Sequence, residues 1–188
     1  MQLFKRRVDA EIEALFLEIF HTHQQQVFNY IYRMLGNRES AEDLVQEVFL
    51  KIYTYLPRYQ EKQKRSSWVF KITHTTLMDH FRKTGTHQTL FVEPDNTAGL
   101  EFQLSDASCS PEHYVLASEM YEHLEKIIMN LPYKLKEVFL LRHEAGLSFK
   151  EISKLLHCPV NRLLGRMHLA VKTIRTEMQE FINERSST

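Results

Sequence analysis

Glycine and proline are both scarce in this chain of 188 residues, which contains only five of each. A sheet-rich fold needs many turns, and turns draw heavily on these two residues. Leucine, glutamate, lysine, glutamine and methionine are frequent instead, and all five are good helix formers. Hydrophobic residues make up 43% of the chain, which is enough for a buried core. We therefore expect an all-α fold.

Long apolar runs and cysteine pairs are also lacking. No stretch approaches the roughly 18 apolar residues of a membrane span, so we expect no membrane insertion. The first residues, MQLFKRRVDAEIEALF, lack the apolar core of a signal peptide. Two cysteines, Cys109 and Cys158, do not support a secreted disulfide scaffold. Together these absences predict a cytoplasmic protein.

Sequence motifs of catalysis and metal binding are missing as well. We find no Gly-rich phosphate loop, no nucleophile elbow and no HExxH helix. Histidines are numerous, but His21 and His23 fall on different helix faces, and the adjacent His157 and Cys158 have no second pair at zinc-ligand spacing. The sequence therefore predicts a protein that is not an enzyme, with no catalytic residues, no cofactor and no metal site.

Lysine and arginine are absent between Thr84 and Glu125. Residues 1–86 hold 13 Lys/Arg and 10 Asp/Glu, a net charge of +3, whereas residues 87–118 carry a net charge of −5. Residues 119–188 return to a net charge of +2. Two mildly basic blocks around an acidic stretch are typical of two domains and a linker. We predict two small helical domains, 1–86 and 115–188, joined by an acidic linker, 87–114.

The clearest local pattern lies near the C-terminus. Ser148 and Glu151 have the spacing of a capping box, which begins a short helix. His157-Cys158 forms a turn, and Pro159 stands where a longer helix begins. This order predicts a DNA-binding helix-turn-helix. The candidate DNA contacts are polar, basic or small residues on these two helices: Lys150, Asn161, Arg162, Gly165, Arg166 and Lys172.

In the N-terminal block, apolar residues at helical spacing predict one or two helices over residues 9–35, ending near Gly36. A further helix is predicted from Ala41, capped by Ser40, to Leu56, where Pro57 stops it. Apolar residues of this helix face inward, and four others share a second face that suits a partner helix. These four candidate contacts are Asp43, Gln46, Glu47 and Leu50.

A third N-terminal helix is predicted over residues 68–82, preceded by a basic segment. Cations interleaved with aromatic residues can hold single-stranded DNA by charge and stacking. Trp68 and Phe70 are interpreted as core residues, because large aromatic side chains dominate core energetics. The candidate contacts are therefore the polar and charged residues around them: Lys64, Arg65, Lys71, His74, Thr75, Asp79, Arg82 and Lys83.

Three stretches in this order resemble the sigma-70 family, specifically the two-domain extracytoplasmic-function (ECF) sigma factors. They are AEDLVQEVFLKIY at 41–53, SSWVFKITHTTLMDHFRK at 66–83 and LPYKLKEVFLLRHEAGLSFKEISKLL at 131–156. The resemblance implies a factor that binds core RNA polymerase and directs promoter recognition, melting and transcription initiation. It implies that residues 1–86 form sigma region 2 and residues 115–188 form sigma region 4.

The resemblance also implies a role for each group of candidate residues. The Asp43 group would bind the clamp helices of the polymerase, the Lys64–Lys83 group would bind the −10 promoter element, and the helix-turn-helix group would bind the −35 element. Core RNA polymerase, promoter DNA and an anti-sigma factor are the implied partners. The acidic linker is either a mimic of RNA in a polymerase channel or simply a polar connection.

The chain departs from the family pattern in its DNA-reading positions. His74-Thr75 stands where many members have Arg-Asn, and Arg162-Leu163-Leu164-Gly165-Arg166 stands where they often have Thr-Val-Lys-Ser-Arg. His157 replaces a usual glycine, so a positive φ there would be mildly strained. Two alternatives to a standard sigma factor therefore stay open: a free-standing helix-turn-helix regulator, and a sigma-like protein that binds polymerase but reads DNA poorly.

Overall fold

The computed structural model describes residues 2–60, 64–85 and 114–186, and within these the side chains of residues 11–60, 64–85 and 119–185. This part of the chain is all-α and contains no strand. Its seven α-helices are α1 (Gln2–Leu35), α2 (Arg38–Tyr55), α3 (Arg65–Lys83), α4 (Tyr114–Asn130), α5 (Tyr133–His143), α6 (Phe149–Leu156) and α7 (Val160–Ser186), and a short 3-10 helix, Leu56–Arg58, follows α2. None of them is both long and apolar enough to cross a membrane.

The turn between α1 and α2 follows from two residues. Gly36 adopts a φ of +73°, a left-handed conformation that glycine tolerates without strain, and so α1 ends there as predicted. The prediction of Ser40 as the N-cap of α2 was wrong. Asn37 is the cap, and its side chain accepts a hydrogen bond from the Ser40 backbone N–H at 2.8 Å. The helix therefore begins three residues earlier than expected.

The first domain is built from α1, α2 and α3 around a dense apolar centre. Leu44, Val48 and Ile52 of α2 are buried, as the helical spacing predicted. They pack in one hydrophobic cluster with residues such as Tyr30 of α1 and Phe70 of α3, both fully buried. Because one stripe of α2 is used in this way, its opposite face is left for solvent.

The second domain contains the predicted helix-turn-helix, formed by α6 and α7. Both halves of the Ser148–Glu151 capping box are present at the start of α6. His157 ends this helix in the left-handed region, with a φ of 50°, as its place in the turn required. Pro159 differs slightly from its predicted place, because α7 begins at Val160 and the Pro159 carbonyl accepts from the Leu163 backbone N–H at 3.2 Å.

The two domains pack against each other. A single hydrophobic cluster continues from the first domain into the second, where it includes Tyr133, Val138 and Leu141 of α5. The Tyr133 ring meets Phe81 of α3 edge-on, with ring centroids 6.0 Å apart. Helix α1 also contacts α4 and α5 directly. The predicted linker 87–114, apart from its last residue, lies outside the described residues.

Candidate functional site

The outer face of α2 carries the first group of predicted contacts together. Asp43, Gln46 and Leu50 are exposed, and Glu47 is half-buried beside them. Leu50 stands out because 67% of this large aliphatic residue is accessible to solvent. The opposite stripe of the helix is buried in the core. The outer face therefore stays accessible, and it combines an apolar centre with acidic and amide neighbours. Such a combination suits contact with another helix.

Two neighbours extend this α2 face. Glu47 forms an ion pair with Lys51 at 2.6 Å, and the hydrogen bond from Lys51 lowers the pKa of Glu47, with smaller contributions from the charges of Lys83 and His80. Tyr53 is 48% exposed and rests edge-on against Phe16, with ring centroids 5.1 Å apart. Sequence reasoning missed Tyr53 as a surface residue, although its position three residues after Leu50 placed it on the same face.

Only some of the DNA contacts predicted on helix α3 and just before it are freely exposed. Lys64, Lys71, Thr75, Arg82 and Lys83 are exposed along the helix and just before it. The other cation and the acid of the group are engaged in ion pairs. Arg65 pairs with Glu18 of α1, and Asp79 pairs with Arg82 at 2.5 Å. Lys64 and Lys71 line one groove, where they can attract a phosphate backbone, whereas the charge of Lys83 reaches Glu47 of α2.

His74, a predicted DNA contact, is largely buried. Only 12% of its side chain is exposed, because α5 covers it. Its Nδ1 lies 3.3 Å from the hydroxyl of Tyr30 and 3.7 Å from Oε1 of Glu137. Burial, assisted by the charge of Lys134, lowers the pKa of His74 to about 4. The imidazole is therefore neutral at pH 7 and belongs to the domain junction.

Of the aromatic residues of this stretch, Phe70 is a core residue, as interpreted from the sequence, and Trp68 packs against the edge of the core. Phe70 is fully buried and meets the Tyr30 ring edge-on, with centroids 5.7 Å apart. Trp68 is half-buried and packs against Tyr59, with centroids 4.6 Å apart. Neither ring is presented as a free stacking surface.

The helix-turn-helix exposes part of the third group. Asn161 and Arg162 are exposed in the first turn of α7, and Lys150 and Lys172 are exposed on the two helices. Leu164 is 43% exposed between them and was recognised in the sequence only as a replacement for a cation.

Gly165 and Arg166, the other two predicted contacts on α7, are turned away from solvent. The prediction that Gly165 is exposed was wrong, because the residue is buried. Arg166 is half-buried, with Nη1 3.7 Å from Sγ of Cys158, and its charge reaches the buried Glu137. Residues three and four positions beyond Arg162 turn toward the domain interior, where Leu163 and Met167 also pack. The exposed reading face of α7 is consequently narrower than predicted and comprises Asn161, Arg162, Leu164 and Lys172.

A groove of about 610 Å³ separates the α3 cations from the helix-turn-helix. Lys64, Lys71 and Thr75 line one side, and Lys154 and His157 line the other. The Ser67 hydroxyl bridges it by donating to Oε1 of Glu151 at 2.5 Å. Burial raises the pKa of Glu151, but hydrogen bonds from Ser148 and Ser67 outweigh it and lower the pKa to about 2.

Within residues 11–60, 64–85 and 119–185, no cluster of three or more histidine, cysteine, aspartate or glutamate side chains could hold a metal ion.

Comparison with known families gives this arrangement a name. The model of sigma-70 region 2 matches residues 19–86, and that of sigma-70 region 4 matches residues 121–174. The chain belongs to the sigma-70 family. The ECF RNA polymerase sigma factor SigW of Bacillus subtilis is 29% identical over 177 residues, which cover 93% of this chain and 95% of SigW. The ECF sigma-E factor of Escherichia coli is 25% identical over 187 residues, covering 96% and 95%.

Solved structures share the fold of this sigma factor. The sigma factor RpoE of Bartonella quintana, in complex with the anti-sigma factor NepR, aligns with a TM-score of 0.58 at 15% identity, over 95% of this chain and 98% of RpoE. CnrH in complex with the cytosolic domain of CnrY aligns with the same TM-score of 0.58, at 16% identity over 95% and 97%.

The protein is accordingly an ECF sigma factor, a transcription initiation factor and not an enzyme. It binds RNA polymerase and directs initiation at promoters. The α2 face and helix α3 fall within the region 2 match, and the helix-turn-helix contacts fall within the region 4 match.

Proposed function

We propose that this sigma factor binds the clamp helices of core RNA polymerase through the outer face of α2. Asp43, Gln46 and Leu50 form the centre of the contact, with Glu47 and Tyr53 beside them. The exposure of Leu50 is the observation that carries the proposal. This residue is 67% exposed to water, and a partner that covers its apolar side chain gains binding free energy from the hydrophobic effect. The acidic and amide groups around it supply hydrogen bonds at the rim.

The −10 contact is assigned to the exposed polar residues of α3 and the segment before it. Lys64, Lys71, Arg82 and Lys83 provide the positive charge that holds a DNA strand. Thr75 offers one hydroxyl, which already donates to the Lys71 carbonyl at 2.8 Å. A threonine lacks the amide that donates and accepts simultaneously, so we expect a base preference that differs from that of relatives with Asn at this place.

The −35 contact is assigned to Lys150 of α6 and to the narrow reading face of α7. Arg162 and Asn161 are the candidates for base contact, since arginine pairs with guanine and asparagine with adenine through two hydrogen bonds. The exposed Leu164 suits the methyl group of thymine. Lys172 lies farther along the helix and is assigned to the phosphate backbone.

Residues 87–114 serve in this proposal as the connection between the two DNA-binding domains, 1–86 and 115–188. We also propose that the protein works in the cytoplasm, where its polymerase and promoters are. The two aligned solved structures contain sigma factors in complex with NepR or CnrY, which supports an anti-sigma partner for this chain. Such a partner would act by covering the α2 or DNA-binding faces.

A sigma-like protein that binds polymerase but reads DNA poorly is the second candidate. Burial of Gly165 and the inward course of Arg166 favour it, because they remove two of the predicted reading positions. Asn161 and Arg162 still offer two base contacts, so we favour a functional but altered −35 preference.

The deciding experiment mixes the full chain with core RNA polymerase and measures transcription from a panel of promoters. Asp43→Ala tests the polymerase contact and Arg162→Ala tests the −35 contact, with Glu180→Ala on an exposed part of α7 as the matched control. Promoter-specific transcripts that both test variants reduce would support the proposal. Core binding without transcripts from any promoter would favour the second candidate, and operator binding without core would favour a free-standing regulator.

A further inference from the structure

The groove between α3 and the helix-turn-helix brings together positive charges from two parts of the chain. Its volume is about 610 Å³, and Lys64 and Lys71 line one wall while Lys154 of α6 lines the other. All three lysines are exposed, and none forms an ion pair with a carboxylate of the described residues. Like charges around one space repel each other, so an anion held between the walls would lower the electrostatic energy.

Glu151 of α6 is the one carboxylate among the described residues that line this groove, and it offsets only one of the three charges. Its Oε2 accepts hydrogen bonds from the Ser148 backbone N–H at 2.8 Å and from the Ser148 hydroxyl at 2.6 Å. Its Oε1 accepts a hydrogen bond from the Ser67 hydroxyl at 2.5 Å. The carboxylate is therefore engaged by the capping box and by α3, and the groove keeps an excess of positive charge.

Hydrogen-bond donors are available on both walls of the groove. Each lysine ammonium group carries three N–H donors and no acceptor. The exposed imidazole of His157 adds a ring nitrogen beside Lys154. A ligand that fits must therefore present negative charge and acceptor atoms at several points along its length. Phosphate groups have this chemistry, and lysine is a frequent phosphate ligand in proteins.

The size and the lining of the groove favour a chain of phosphates over a single ion or a nucleobase. A space of about 610 Å³ can hold several linked phosphate groups, whereas one phosphate ion would contact only part of the lining. Of the described residues that line the groove, none is phenylalanine, tyrosine or tryptophan. A base would therefore lack the large aromatic rings on which nucleobases stack in single-strand binding sites.

We propose that this groove binds an oligophosphate, a ligand with three or more linked phosphate groups that bridges Lys64 and Lys71 on one wall and Lys154 on the other. Inorganic polyphosphate and nucleoside triphosphates share this chemistry. The site does not depend on the proposed function, because Lys154 has no role in the polymerase or promoter contacts assigned above. A bound oligophosphate would compete with a DNA strand for Lys64 and Lys71.

The test is isothermal titration calorimetry of the full chain with inorganic tripolyphosphate at about 0.15 M salt, where charges farther apart than about 8 Å are largely screened. We expect one site per chain, and weaker binding of orthophosphate, which cannot bridge the walls. Lys154→Ala should weaken tripolyphosphate binding roughly tenfold, because one charge-assisted hydrogen bond is lost. Lys126→Ala removes an equal charge from an exposed position on α4 outside the groove and is the matched control.

Both variants place alanine, the best helix former, at an exposed helical position, so both should fold. No saturable binding of tripolyphosphate would overturn the proposal. Equal losses in Lys154→Ala and Lys126→Ala would also overturn it, because general charge attraction would then account for the binding. A third contrary result is that Lys154→Ala weakens binding of a single-stranded oligonucleotide but not of tripolyphosphate, which would assign the groove to DNA.

Titrations with ATP and GTP distinguish the two sources of the phosphate chain. Affinities equal to that of tripolyphosphate would support a site that recognises the phosphates alone. Tighter binding of a nucleotide that Lys154→Ala also weakens would support the site with a nucleoside triphosphate as its ligand. Transcription by Lys154→Ala with core polymerase is measured separately and should be unchanged, so the oligophosphate site and the proposed function can fail independently.

Discussion

The outer face of α2 and the first turns of α7 are both exposed helix surfaces assigned to partners, yet they are constructed differently. On α2, three of the four predicted residues are exposed and the fourth is half-buried beside them. On α7, Asn161 and Arg162 are exposed, but Gly165 is buried and Arg166 points toward Cys158 and Glu137. The first surface is complete in the free protein, and the second is reduced by the packing of its own domain.

This difference has a physical origin in what each helix must bury. Helix α2 packs against α1 and α3 through a stripe that includes Leu44, Val48 and Ile52, and its outer face stays largely exposed. Helix α7 packs along its length against α4, α5 and α6. In its first turns this packing takes Leu163, Gly165 and part of Arg166 into the interior of the domain. Its reading face is therefore narrower than the sequence pattern alone suggests.

The largest expected effect is on the α2 surface. Leu50→Asp should weaken binding to core RNA polymerase by about 2 kcal/mol or more, roughly thirtyfold, because a charge replaces the apolar centre of the contact. Pull-down or fluorescence titration with core enzyme measures the change. Tyr121→Asp, at a residue that is 70% exposed on α4, is the control. If Leu50→Asp bound core polymerase as tightly as the control, the outer face of α2 would not be the polymerase-binding surface.

The next effect tests whether the reduced α7 face still reads DNA. Arg162→Ala should weaken binding to the preferred promoter by about 1–3 kcal/mol and relax the base preference at one position of the −35 element. Lys172→Ala should instead weaken all sequences alike and lower the salt dependence by about one counterion. Competition binding of holoenzyme to a randomised −35 library separates these outcomes. Identical sequence profiles for the two variants would contradict the assignment of Arg162 to a base.

The frame of the helix-turn-helix should be separable from its reading face. Glu151→Gln should cost about 1 kcal/mol of unfolding free energy at pH 7, because it weakens the capping box. The folded pKa of about 2 lies below the ordinary 4.5, so the carboxylate stabilises the fold above pH 4.5 and this contribution is lost as the pH falls toward 2. Chemical denaturation across this range should show the variant and wild type converging in acid. A constant difference at every pH would argue against an ionised cap.

The smallest effect concerns the turn. His157 holds a φ of 50°, where a side chain costs energy and glycine does not. His157→Gly should therefore raise the unfolding free energy by up to about 1 kcal/mol, with promoter preference unchanged. Thermal unfolding of the variant measures the shift, and Gly146→Ala, at a φ of +62°, should move the melting temperature in the opposite direction. A destabilised His157→Gly would mean that the imidazole makes a contact worth more than the strain.

Local signals in the sequence were accurate where neighbouring residues decide the structure. The capping box at Ser148 and the helix end at Gly36 follow from interactions within a few residues. The N-cap of α2 was misplaced because Asn37 and Ser40 are both good caps, and the sequence offers no way to rank them.

The candidate site was predictable to the extent that exposure follows from helical period. Period alone identified the α2 face, because that helix has one buried stripe. It failed for His74, because α5, which is distant in sequence, covers it, and it failed for Gly165, which is buried. Tyr53 was missed for a related reason, because an aromatic residue at helical spacing is more often part of a core.

The sequence by itself determined the helices, their caps, the helix-turn-helix and the family, because these depend on short-range periodicity and on motifs read along the chain. Only the tertiary structure decided which predicted contacts are open to a partner. Glu137 meets His74 across 63 positions of sequence, and Arg33 meets Glu144 across 111. Contacts between such distant residues leave no periodic signal, because they depend on how two complete helical domains pack and not on the order of neighbouring side chains.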